Sequence, residues 1–257
     1  MRVLCIGDVV GSRGCNFVRE KLPQLKKFYN IDAVICNGEN SADGNGILPT
    51  SADSLFASGV DVITLGNHSF RRREIYSYLD ESPFIIRPAN YPDSTTPGRG
   101  KCILDMGRFR ITVLNLCGNV YSQEILDCPF AAMDRILKDV DTKFVIVDFH
   151  AEATGEKGAL AHYLDGRVSA IFGTHTHVQT ADEQILPKGT GFITDIGMTG
   201  AVNSVLGVKS ELIIEKLKTK MPVRFEVSSE PYKLDGVIFD LDNSTGKCVG
   251  VERISVK

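Results

Sequence analysis

The 257-residue sequence lacks a strong charge of either sign, a membrane-length apolar run, a Cys-x-x-Cys pair and any internal repeat. Each absence excludes something. A formal net charge of −3 gives no global attraction to nucleic acid or anionic lipid, so a phosphate-bearing substrate must be held by local features such as metal ions. No long nucleic acid and no membrane is expected as a partner. The apolar opening is broken by Asp8 before it could serve as a signal peptide, and no later run reaches spanning length, so a soluble, cytoplasmic protein is expected. The seven cysteines are odd in number, and Cys5, Cys36 and Cys117 lie inside apolar runs. They read as reduced core residues, which leaves neither a disulfide framework nor a zinc ribbon. The glycine-rich stretch 7–14 matches neither Gly-x-x-x-x-Gly-Lys-Ser/Thr nor Gly-x-Gly-x-x-Gly, which argues against a P-loop or a dinucleotide fingerprint.

What is present reads as globular: 43% hydrophobic and 24% charged residues, enough to bury a full core. Short, β-branched-rich runs at 3–6, 33–36, 60–65, 111–116, 144–149 and 168–172 are apolar on both faces, as strands buried on both sides should be. Between the first two, Val18, Leu22, Leu25 and Tyr29 recur at helical spacing, with Pro23 as a potential break. A helix-like stretch follows at 72–79, then a turn-rich segment at 92–100. Gly107 between two apolar stretches predicts a hairpin. The last third changes character. Runs at 192–196, 210–217, 223–227, 237–241 and 249–256, separated by turn signals such as 242–246, predict mostly antiparallel strands. An α/β layered fold follows.

The chemistry stands directly after the apolar runs. They lead into Gly7-Asp8, Asn37-Gly38-Glu39-Asn40, Gly66-Asn67-His68, His150 and Gly173-Thr174-His175-Thr176-His177. Ligands of open α/β sheets bind at the carboxyl ends of strands. Glycine precedes the polar group in four cases, where a backbone must turn tightly or approach a ligand closely. The chain has five histidines, and His68, His150, His175 and His177 all stand at these ends. One such histidine reads as structural; four beside Asp8 and Glu39 read as a metal site. His162, within a predicted helix, lacks such company. Imidazole, carboxylate and amide donors suit Mn, Fe or Zn better than Ca or Mg, and their number exceeds one tetrahedral zinc. Two metals would account for it.

In this order the motifs resemble those of the calcineurin-type metallophosphoesterases, most nearly the bacterial YmdB-like branch. The resemblance extends over nearly the whole chain, including Gly7-Asp8-Val9-Val10-Gly11 and Gly197-Met198-Thr199-Gly200. It implies a single domain over residues 1–257, a two-sheet β-sandwich flanked by helices. It further implies two Fe or Mn ions (with Zn as an alternative) and phosphodiesterase activity that includes cyclic nucleotides. On that reading Asp8, Glu39, Asn40 and His177 hold one metal. Glu39, Asn67, His150 and His175 hold the other, and a metal-bridging hydroxide attacks phosphorus. His68 remains to stabilise or protonate the leaving oxygen. The chain departs from the wider superfamily in two places and from the YmdB-like branch in a third. Val10 replaces a ligating His, Glu39 replaces a bridging Asp, and Phe70-Arg71-Arg72-Arg73 replaces an aromatic-acidic pair. The last departure bears on substrate preference. Arg71–Arg73 reads either as a solvated basic edge or as anion capture beside the metals. Asp195 also follows an apolar run, as a pocket border or a structural turn. A phosphomonoesterase on the same site, and a regulatory protein binding metal and nucleotide or RNA with little turnover, are the alternative functions. A homo-oligomer is compatible with either.

Overall fold

The computed structural model describes residues 1–92, 94–229 and 231–257, so Asp93 of the turn-rich segment 92–100 lies outside the described residues. The first half runs β1 (Arg2–Ile6), β2 (Asp8–Val9), α1 (Gly11–Tyr29), β3 (Ala33–Asn37), α2 (Pro49–Ala57), β4 (Val62–Thr64), α3 (Ile75–Glu81), β5 (Ile85–Ile86), β6 (Lys101–Asp105) and β7 (Arg110–Cys117). The second runs α4 (Pro129–Leu137), β8 (Phe144–His150), α5 (Thr154–Leu164), β9 (Ala170–Thr174), β10 (Gln184–Ile185), β11 (Gly191–Ile193), β12 (Met198–Ala201), α6 (Ser210–Thr219), β13 (Tyr232–Leu241) and β14 (Cys248–Val256).

Two mixed sheets result. The eight-stranded sheet has the order β2-β12-β13-β1-β3-β4-β5, with β14 on β13; the six-stranded sheet has the order β10-β11-β9-β8-β7-β6. Parallel pairing joins β1, β3, β4 and β5 in one, and β7, β8, β9 and β11 in the other. Alternation along the central strands sorts side chains to two buried faces. In β1, Leu4 and Ile6 join the layer with Val18, Leu22 and Leu55 of α1 and α2. Val3 and Cys5 instead meet Val113, Ile146 and Phe172 of the opposite sheet. The outer face of that sheet is covered by Ala132 and Met133 of α4 and Leu160 and Leu164 of α5. A helix/sheet/sheet/helix sandwich follows from central strands with no wet face.

The central strands, α1 and the hairpin at Gly107 (φ 73°) follow the sequence reading. Helix α1 is continuous through Pro23. The antiparallel strands of the last third extend the first sheet through β12, β13 and β14. Two expected strands are corrected. Residues 210–217 form α6, because Leu, Glu and Lys favour helix, Glu211 stands in its first turn and Lys216 and Lys218 in its last. Residues 223–227 form no strand, only a bridge from Val227 to Val208. Six cysteines are buried and Cys128 is exposed; none is paired. No described helix is long and apolar enough to cross a membrane.

Candidate metal centre

The carboxyl ends of parallel strands from both sheets point to the same place, so the expected single edge is a meeting of two. From one sheet come Asp8 after β1, Glu39 and Asn40 after β3, and Asn67 and His68 after β4; from the other come His150 on β8 and His175 and His177 after β9. Asp8, Glu39, Asn40 and His150 are buried. Glycine makes the convergence possible at Gly66. A Cβ there would strike the His150 ring and lie 2.5 Å from Glu39 Oε2. Gly7, Gly38, Gly66 and Gly173 are absent from the residues of positive φ, so close approach rather than a left-handed turn selects them.

His150 Nε2 lies 2.8 Å from Asn67 Oδ1, 3.0 Å from His175 Nδ1 and 3.2 Å from Glu39 Oε1. Glu39, His150 and His175 each offer an atom within 4.8 Å of the others. These are lone-pair atoms facing lone-pair atoms, and a single proton cannot satisfy all of them. A cation among them can. Beside this group, His177 Nε2 is 3.6 Å from Asp8 Oδ1, and the Asn40 amide nitrogen donates toward Asp8 Oδ1 (3.4 Å), Glu39 Oε1 (3.2 Å) and His177 Nε2 (3.2 Å). Asn40 Oδ1 instead faces His68 Nδ1 at 2.8 Å. Turning this amide by half a rotation would give its oxygen to the cluster and its NH₂ to His68.

Each cluster histidine has its other nitrogen anchored, which leaves the inward nitrogen free to coordinate. His150 Nδ1 donates to Thr174 Oγ1 (2.9 Å), which donates to Asp148 Oδ1 (2.7 Å). His175 Nε2 lies 3.1 Å from Glu152 Oε2, and His177 Nδ1 donates to the Leu206 carbonyl at 3.0 Å. His175 and His177 both have positive φ, 102° and 63°, strained for residues with a Cβ. The turn is held where His175 N donates to Asp8 Oδ2 (3.2 Å) and Thr176 N to Asp195 Oδ2 (3.1 Å). Asp195 is also paired at 2.7 Å with buried Lys157. Asp195 is therefore a buried strut under the turn and does not line the cavity.

The electrostatics show how much positive charge the cluster demands. Burial alone would lower the His150 pKa, but the Glu39 carboxylate and then Asp8 raise it to about 9. His177 is likewise raised by Asp8 against the effect of burial. Burial would raise the Asp8 and Glu39 carboxyls, yet facing imidazoles hold both below the usual carboxylate range. His175 is pushed down to about 4 by burial and by the positive charge on His150. Burial pushes His68 below the ordinary imidazole value.

The sequence reading missed Asp148, Thr174, Glu152 and the Lys157–Asp195 pair. Asp148 left a signal: a carboxylate inside the apolar run 144–149, two residues before His150 and so on the same face of the strand. The other partners are brought in by tertiary folding alone. His162 lies in α5, as expected.

The cluster opens on a cavity of about 220 Å³ lined by Asn67, His68, Arg71, Tyr121, His150 and His175 among others. Comparison with known proteins agrees with this architecture. A 2',3'-cyclic-nucleotide 2'-phosphodiesterase of Bacillus subtilis is 47% identical, covering 100% of this chain and 97% of its own. A hypothetical protein from Thermus thermophilus has a solved structure with TM-score 0.93 and 40% identity, over 99% of this chain and 98% of its own. A structure described as a novel phosphatase from Mycoplasma pneumoniae matches with TM-score 0.94 and 35% identity, over 100% and 93%. The YmdB-like protein family model matches residues 4–254, and the chain belongs to that family.

Proposed function

We propose that this chain is a dinuclear, metal-dependent phosphodiesterase acting on small phosphodiesters, cyclic nucleotides foremost. The observation that carries the reading is His150 Nε2 facing Asn67 Oδ1, His175 Nδ1 and Glu39 Oε1 within 3.2 Å, a donor set made for a cation. Fe or Mn suits these mixed donors, with Zn possible by the same chemistry. Asp8, Asn40 and His177 would hold one ion, Asn67, His150 and His175 the other, and Glu39, whose Oε1 reaches both groups, would bridge them. When bound, the two ions supply an activated water nucleophile at neutral pH and positive charge against the phosphoryl oxygens. The similarity to a cyclic-nucleotide phosphodiesterase of Bacillus subtilis supports a diester substrate.

The chain's own groups do the rest. His68 N donates to Glu39 Oε2 at 2.9 Å, which fixes the bridging carboxylate from outside the cluster. His68 Nδ1 is turned to Asn40, so its Nε2 is the edge left to hold a proton for the leaving oxygen in the cavity that His68 lines. Buried Asp148, through Thr174, keeps the His150 proton on Nδ1 and its Nε2 aimed inward.

The test is turnover of 2',3'-cyclic nucleotides, bis(p-nitrophenyl) phosphate and the matching monoesters by metal-loaded protein, with elemental analysis of the same sample. Diester turnover with close to two ions per chain is expected. Faster turnover of monoesters would make the protein a phosphomonoesterase, and tight nucleotide binding without hydrolysis would make it a binding protein.

A further inference from the structure

The three consecutive arginines after His68 have different fates. Arg72 is committed to the loop beside it: its Nε donates to the Asn45 carbonyl at 3.1 Å and its Nη2 to the Ala42 carbonyl at 3.5 Å. Arg73 does not line the cavity. Arg71 lines it together with Asn67, His68, His150 and His175, and its guanidinium makes no hydrogen bond or ion pair among the described residues. Its backbone N donates to the His68 carbonyl at 3.1 Å, so one tight turn ties it to His68 and Asn67.

The other charged side chains on the cavity wall are already engaged. Glu124 accepts from Tyr91 Oη at 2.8 Å, and Glu152 lies 3.1 Å from His175 Nε2. Arg71 is therefore the one uncommitted charge among the described lining residues outside the metal ligands. The cavity of about 220 Å³ has room for far more than one water, which needs roughly 10–15 Å³ on the same measure. A guanidinium presents a planar fork of donors that matches phosphate oxygens in pairs.

We infer that Arg71 forms an anion subsite in this cavity, and that the preferred substrate is a nucleotide carrying a second, non-scissile phosphate besides the diester that is cleaved. The inference rests on the phosphodiester reading above. A substrate with one phosphate uses the metals alone. A substrate with two is clamped at both ends, and Arg71 selects it by binding rather than by chemistry.

The test uses metal-loaded protein of full length, with Arg71→Ala and Arg71→Lys variants. The substrates are adenosine 2',3'-cyclic phosphate and the same compound bearing a 5'-phosphate. The wild-type protein should favour the 5'-phosphorylated compound in kcat/KM by roughly 10–100-fold, the scale of one charge-assisted hydrogen-bonded pair. The difference should lie in KM. Arg71→Ala should erase the preference while changing turnover of the singly phosphorylated compound less than about twofold, and Arg71→Lys should keep part of it. Calorimetry gives a second readout, the ratio of affinities for adenosine 3',5'-bisphosphate and adenosine 3'-phosphate, which should collapse in Arg71→Ala. Absence of a wild-type preference overturns the inference. So does an equal loss on both substrates, which would put Arg71 on the scissile phosphate. If neither cyclic compound is cleaved, the phosphodiester reading fails, and the affinity ratio still decides for or against the subsite.

Discussion

Replacing Gly66 by alanine puts one carbon where the site has no room. The added Cβ would strike the His150 ring and stand 2.5 Å from Glu39 Oε2. Both obstacles are buried, and Glu39 Oε2 is held in place by the His68 backbone N–H at 2.9 Å. Backbone strain is not the issue, since Gly66 is not among the residues of positive φ. Relief must come from moving His150 away from Asn67 and His175, or Glu39 away from His150. Overpacking of this kind costs about 1–3 kcal/mol, and should appear in denaturant unfolding of the chelator-treated protein. Displacing a ligand by about 1 Å should lower diester kcat/KM by roughly 100-fold or more, and metal content should fall. Gly158→Ala is the control. It lies inside α5, and its Cβ would meet nothing within 4 Å. That variant should gain about 0.5–1 kcal/mol from helix propensity and keep wild-type activity and metal content. A Gly66→Ala protein with wild-type metal content and turnover would refute the claim that close approach at Gly66 builds the site.

His177→Ala should lose or loosen one metal and lower stability, because metal binding is coupled to folding, whereas His68→Ala should keep its metals. Turnover by the His68 variant should fall about 10²–10⁴-fold on natural diesters and much less on nitrophenyl esters, which need little leaving-group protonation; metal loss in that variant would make His68 a ligand. Metal uptake should release protons at neutral pH, because His150, raised to about 9 by Glu39, holds a proton there that coordination must displace. Affinity should therefore rise with pH until about 9, and calorimetry in buffers of different ionisation enthalpy would measure the release; uptake without proton release would contradict the placement of His150 Nε2.

The strands, and the roster of polar groups at their ends, are legible in the sequence. A strand buried on both faces must be apolar throughout, so the runs ending before Asp8, Glu39, Asn67 and His150 announce themselves, and the polar residues that follow stand out. Scarcity of histidine sharpens the signal, since four of the five stand at those ends. In segment 210–217 an apolar cluster between charges fits a strand and a helix alike, and the helix-favouring Leu, Glu and Lys, with Glu211 in the first turn and Lys216 and Lys218 in the last, decide for the helix. Tertiary packing settles the rest. The glycines before the site residues could signal a turn or a close approach, and only the packing of His150 against Gly66 shows which. The sequence places His175 and His177 after an apolar run but does not give their backbone conformation. The chain leaves β9 at Thr174, and both histidines take positive φ on a turn held by Asp8 and Asp195. Asp148, Glu152, the Leu206 carbonyl and Arg71 act through partners far away in the chain or through a cavity wall. Local pattern fixes which residues leave a strand, but which nitrogen of an imidazole faces inward depends on what the fold sets behind it.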